Sequence, residues 1–140
     1  MNRPELRFRI LFEYYDELHS PKRERGDFAQ NRVRNMDVPD HEKNAAQVWL
    51  VDSGLVNGKN SGSMGSPTQM PFITRINSRG INYVESVMDT AFTQTKFENV
   101  GDLSKTEKIL KFSKECLNNL TSKEICKITL EAIVSGMAGI

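Results

Sequence analysis

Apolar residues recur at spacings of three and four from the start of the chain. Leu6, Ile10, Leu11, Tyr14 and Leu18 trace one stripe, which predicts a helix over "PELRFRILFEYYDELHS", with Pro4 suited to its first turn. "PKRERGD" breaks the pattern. A second, less apolar helix is predicted over 28 to 36 with Phe28, Val33 and Met36 inward, and Val38-Pro39 ends it because proline pushes the preceding residue out of helical angles. Asp40 reads as the N-cap of a third helix, "HEKNAAQVWLVDS", with Glu42 near its positive end and Gly54 where a left-handed residue closes it. Trp49 reads as a core residue packed on the first helix.

"LVN" then predicts a short strand. Fourteen residues, "GKNSGSMGSPTQMP", form a loop with so little to bury that a mobile tip is expected. Beyond it Ile73, Arg75 and Asn77 alternate with Thr74 and Ile76, as in a strand, so Leu55-Val56 should pair with "FITRI" in a hairpin. Asn77 or Ser78 can cap the next helix, where Ile81, Val84, Val87 and Met88 recur at helical spacing.

Past Ala91 the character changes. Ser104-Lys105-Thr106-Glu107 and Thr121-Ser122-Lys123-Glu124 are both capping boxes, which predict helices over 104 to 119 and 121 to 136 joined as an antiparallel pair. The fold class is therefore mainly α with a small β-hairpin (α+β), with one domain over 1 to 91 and a C-terminal helical hairpin over 92 to 140. Two short helices packed only on each other leave apolar surface uncovered. Folding back onto the first helix of the same chain would cover it, and so would a homodimer. The expectation is a homodimer built on Leu103, Ile109, Leu110, Phe112, Leu117, Ile125, Ile128 and Ile133, with Cys116 and Cys126 buried there as small hydrophobes.

Composition changes this picture little. The chain has 140 residues, 38% hydrophobic and 26% charged, as in an ordinary globular protein. No run suits a membrane span or a signal peptide, so a cytoplasmic protein is expected. The net charge of +1 gives no global attraction to a polyanion. Charge is uneven, however: Lys22, Arg23, Arg25, Arg32 and Arg34 face only Glu24 and Asp27 between residues 22 and 34.

Catalytic and metal chemistry find no footing in the pattern, and no cofactor is expected. His19, His41, Cys116 and Cys126 lie far apart without ligand spacing. Lys59 follows the first glycine of "GKNSGSMGS" instead of closing a phosphate-binding run, and no serine sits in a nucleophile-elbow context.

Helix, helix, helix, strand, glycine-rich loop, strand, helix resembles the winged helix-turn-helix superfamily of prokaryotic regulators. "WLVDSGLV" looks like the end of its recognition helix entering the first wing strand, with Leu50 in the core and Gly54 at the turn. "RINSRGINYVE" looks like the second wing strand entering the last helix, with Ile76, Asn77 and Gly80 at the family's apolar, capping and glycine positions. The resemblance implies sequence-specific binding of double-stranded DNA by a transcriptional regulator, with the first half of the third helix in the major groove. Lys43, Asn44 and Gln47 are then the base-contact candidates, since carboxamides can read adenine and lysine can read guanine. Arg23, Arg25, Arg32, Arg34, His41, Lys59, Asn60 and Arg75 are the phosphate-contact candidates, and Arg79 could add to them. A winged helix that contacts protein instead of DNA is the alternative, because fold alone does not assign function. The pattern does not say whether a small-molecule effector is bound.

Overall fold

The computed structural model describes residues 3–19, 28–61, 70–95, 106, 107, 109 and 110. It is mainly helical with one two-stranded antiparallel hairpin, in the order α1 (Arg3–His19), α2 (Ala29–Arg34), α3 (Asp40–Asp52), β1 (Val56–Ser61), β2 (Met70–Ile76), α4 (Ser78–Thr95). The chain divides into two compact units, Met1–Asn82 and Tyr83–Ile140. No helix among the described residues is long and apolar enough to cross a membrane.

In the first unit α1 is buried on more than the expected stripe. Phe8, Phe12, Tyr15 and Asp16 are buried along with Leu6, Ile10, Leu11 and Tyr14, whereas Leu18 is exposed. A helix apolar around most of its circumference belongs inside the fold, and α1 contacts α2, α3 and β2. Helix α2 is shorter than predicted. Phe28 takes extended angles (φ −89°, ψ 156°) as its N-cap residue, which swings the ring off the helix face and leaves it exposed. Its missing side-chain cap is replaced from a distance, because the Glu17 carboxylate of α1 accepts the Ala29 N–H at 2.9 Å.

Helix α3 begins one residue earlier than expected. Pro39 is its N-cap residue and no side chain caps it; the Asp40 carboxylate turns to the Lys43 ammonium at 3.4 Å instead. Its end follows the prediction. Gly54 has φ +73°, its N–H reaches Val51 O at 3.1 Å, and the Leu55 N–H reaches Leu50 O at 3.3 Å. This is a Schellman closure, and Leu50 and Leu55 are both buried at its apolar contact. Leu55 thus serves the helix end, and β1 starts at Val56.

The hairpin departs from simple alternation. Val56 pairs with Ile76, Asn57 with Arg75 and Gly58 with Ile73, so Thr74 is an extra residue bulged out of β2. Strict period two would send Ile73 and Ile76 to opposite faces; the bulge turns both into the core, where each is buried. Thr74 Oγ1 donates to Asn57 O at 2.9 Å across the gap. Gly58 is needed opposite the bulge, because a Cβ there would overlap the Phe72 carbonyl oxygen and stand 3.1 Å from Ile73 Cα. Pairing continues through Lys59–Phe72 to Ser61–Met70, further than predicted. Residues 62 to 69, on which the expected mobile tip falls, lie outside the described residues.

Asn77 caps α4: its Oδ1 accepts the Gly80 N–H at 3.0 Å while its Nδ2 donates to Gly54 O at 2.9 Å. In the second unit Val84, Val87, Met88 and Ile109 are buried. The predicted helices over 104 to 119 and 121 to 136 otherwise lie outside the described residues, as do Leu103, Phe112, Cys116, Leu117, Ile125, Cys126, Ile128 and Ile133.

Two tyrosines report this burial. Burial and the nearby Glu17 hold the Tyr14 phenol well above its ordinary range, and burial pushes Tyr83 up to about 12. The Tyr83 hydroxyl has no hydrogen-bond partner among the described residues. An unfolded phenol ionises near 10.0, so between that pH and about 12 the unfolded chain loses protons that the folded chain keeps. Stability should be level below that window and fall as pH rises through it. Phenolate absorbance against pH should show Tyr14 and Tyr83 ionising only above the ordinary range; normal titration of both phenols in the folded protein would contradict their burial.

Candidate functional site

The polar candidates sort into those the fold consumes and those it leaves open. Lys43 is consumed. Lys43, Ala46 and Leu50 form the buried face of α3, and the Lys43 side chain is 7% exposed. Its ammonium donates to Arg34 O at 2.7 Å and Met36 O at 3.1 Å, closing the carbonyl end of α2. The base-reading expectation for Lys43 is therefore corrected: a buried ammonium tied to two carbonyls is a structural clamp. Its spacing of three and seven from Ala46 and Leu50 was the signal in the sequence that it lies on the core face.

Arg32 and Asn60 are also committed. Arg32 reaches back to α1, 3.1 Å from the Asp16 carboxylate, which is 2% exposed, and 3.3 Å from Glu13. Turning Arg32 toward a phosphate would break an ion pair with a buried acid. The Asn60 amide donates to Asp52 Oδ1 at 2.9 Å and Val48 O at 3.4 Å, tying β1 to α3 in place of a phosphate contact. Ile109 is fully buried within one chain, which leaves it no surface for a second copy, while Leu110 is half-buried. Arg23 and Arg25 lie outside the described residues.

The open candidates converge in part. Asn44 and Gln47 of α3, Arg34 of α2 and the exposed Phe72 of β2 share a groove of about 460 Å³ floored by Tyr14, Val33 and Ile73. Gln30 Nε2 donates to Ile73 O at 2.9 Å along this groove, which satisfies a carbonyl on the unpaired edge of β2. Gln47 is half-buried and lies 3.4 Å through its amide from Lys43 O, so its carboxamide is partly engaged in the helix. His41 is not in this groove. It is exposed on α3, nearer α1. Lys59, Arg75 and Arg79 are exposed on the hairpin and the start of α4, and among the described residues no ion pair joins them to a carboxylate. Arg79 Nη1 lies over the backbone at Gly54, so this cation sits where α3 ends.

Opposite charge is present too. Asp37, Asp40 and Glu42 are exposed around the start of α3. No family model, curated protein or solved structure matches the chain. Among the described residues no group of three or more His, Cys, Asp or Glu is placed to hold a metal ion.

Sequence reasoning passed over a second cluster. Arg7 of α1 lies over the Trp49 ring, 4.4 Å from its centroid, so Trp49 is half-buried under a guanidinium at the surface and is not the core residue expected. Burial and the neighbouring Arg3 lower the Arg7 pKa from its ordinary value. Both arginines lie on α1 at positions i and i+4, a spacing that brings like charges together.

Proposed function

We propose that residues 3 to 82 form a winged helix-turn-helix that binds double-stranded DNA sequence-specifically, as a small homodimeric transcriptional regulator. One observation carries the proposal: Asn44, Gln47 and Arg34 open onto one groove beside the hairpin. Two carboxamides and a guanidinium are the groups that read base edges and hold a phosphate. The order of elements supports it, with α3 as the recognition helix and β1–β2 as the wing. Lys59, Arg75 and Arg79 supply backbone contacts from the wing side, and Lys43 positions α3 without reading sequence.

Mobility shift against genomic fragments, including the protein's own promoter, tests this reading. Affinity should fall with salt as counterions are released. Arg34→Glu and Arg75→Glu should weaken binding to all sequences alike, because both face solvent and neither is needed by the core. Asn44→Ala or Gln47→Ala should instead narrow the gap between specific and random DNA, by about 1 to 3 kcal/mol per lost base contact. Sedimentation of the full chain reads the dimer expected from residues 103 to 137. If no fragment binds above background at low salt, the DNA reading fails.

A protein partner is the second reading, and a specific observation favours it. Asp40 is 94% exposed in its side chain and stands with Glu42 where phosphates would approach, while Phe72 is 58% exposed at the same groove. Under that reading the groove takes a basic segment of another protein, and Phe72 is its apolar anchor.

A further inference from the structure

A pocket of about 300 Å³ lies between α1 and α3, on the side of α3 away from the hairpin groove. Its apolar part comes from Leu6 of α1 and Ala45 of α3. Among the described residues its polar part carries the guanidiniums of Arg3 and Arg7, with the His41 imidazole beside them, and Glu42 is the one carboxylate. Among the described residues no ion pair joins Arg3, Arg7 or His41 to an acid. Two guanidiniums are thus gathered at one opening, neither in an ion pair among the described residues, and Arg7 is held in place by the Trp49 ring.

We propose that this pocket binds a small organic anion, a carboxylate or phosphate ester with a compact apolar body. The anion would lie between the Arg3 and Arg7 guanidiniums, whose planar donors fit carboxylate and phosphate oxygens, and its body would cover Leu6 and Ala45. The volume argues for a body as well as a head, because a bare oxyanion would fill only a fraction of it. Glu42 sets the selectivity: it repels a second anionic group placed against α3 and favours ligands whose charge is confined to the end held by the arginines. The pocket stands whether or not α3 meets DNA, since none of its residues belongs to the hairpin groove.

Trp49 is the only tryptophan and sits under Arg7, so its emission is a built-in reporter. The full chain is titrated with phenyl phosphate, with inorganic phosphate, and with a short duplex. Phenyl phosphate should give a saturable change in emission at millimolar concentration, and inorganic phosphate a weaker one. Arg3→Gln and Arg7→Gln should each weaken phenyl phosphate about tenfold, as for loss of one charge-assisted contact. Glu42→Gln should strengthen it. Arg7→Gln also removes the stacking on Trp49, so Arg3→Gln, at an exposed site, carries the decision if the former fails to fold. No saturable change, equal affinity in wild type and Arg3→Gln, or inorganic phosphate binding as tightly as phenyl phosphate would overturn the proposal. A response to the duplex alone would also overturn it, making the pocket a seat for a backbone phosphate. Failure of the DNA mobility shifts with a normal phenyl phosphate titration leaves this site standing.

Discussion

Gly80→Ala is expected to lower folding stability by about 3 kcal/mol, although alanine is the better helix former by about 1. The added Cβ would overlap the Leu55 carbonyl oxygen and come 2.7 Å from Ile76 Cγ1. Neither neighbour can retreat cheaply. Leu55 N–H closes the end of α3 on Leu50 O, Leu55 O accepts the Asn77 N–H at 3.4 Å, and Ile76 is buried in the core. The start of α4 must lift, and with it goes the Asn77 cap on the Gly80 N–H. Gly54→Ala is the comparison. Its φ of +73° strains alanine, but the nearest atom to a new Cβ is Arg79 Nη1 at 3.7 Å, the end of a flexible side chain. It should cost about 1 kcal/mol. Urea midpoints at unchanged slope measure both, and a Gly80 variant no less stable than the Gly54 variant would refute the close approach.

Lys43→Met is expected to cost about 2 kcal/mol. The thioether keeps the bulk of the stem but takes the ammonium from the Arg34 carbonyl, at about 1 to 3 kcal/mol for a lost charge-assisted hydrogen bond, while Met36 O keeps the Val38 N–H at 2.8 Å. The α2–α3 turn then loses the tie that sets the two helices against each other. Denaturant unfolding gives the loss, and mobility shifts run where the variant is still folded should show unchanged preference among DNA sequences. A Lys43→Met protein as stable as wild type but blind to sequence would show that the ammonium faces a base instead.

The two variants mark how differently residues announce their roles. Gly80 was legible as part of an apolar–cap–glycine run, and Gly54 as a helix stop, because both answer to local backbone geometry. Lys43 was misread because charge outweighed position. Its spacing from Ala46 and Leu50 placed it on the core face, yet a lysine there satisfies only when carbonyls from another segment come to meet it. Asn60 and Arg32 repeat the lesson: their partners lie 8 and 16 residues away, on other elements. The pocket of Arg3 and Arg7 against α3 escaped notice for the same reason, since each arginine alone looks like a solvated helix face.

By itself the sequence determined what short-range physics controls. Helical period placed α1, α3 and α4, proline marked the start of α1, glycine marked the end of α3, and the Asn77 cap placed the turn out of β2, all interactions within a few residues. Helix α4 runs on to Thr95, past the change of character at Ala91. Tertiary structure alone decided the rest. The bulge at Thr74 exists because Ile73 and Ile76 must share one core, a demand no local alternation can express. The division of cations into clamps and open groups depends on which carbonyls and carboxylates arrive from distant elements. A polar side chain has no face of its own until a partner across the fold either claims it or leaves it to solvent.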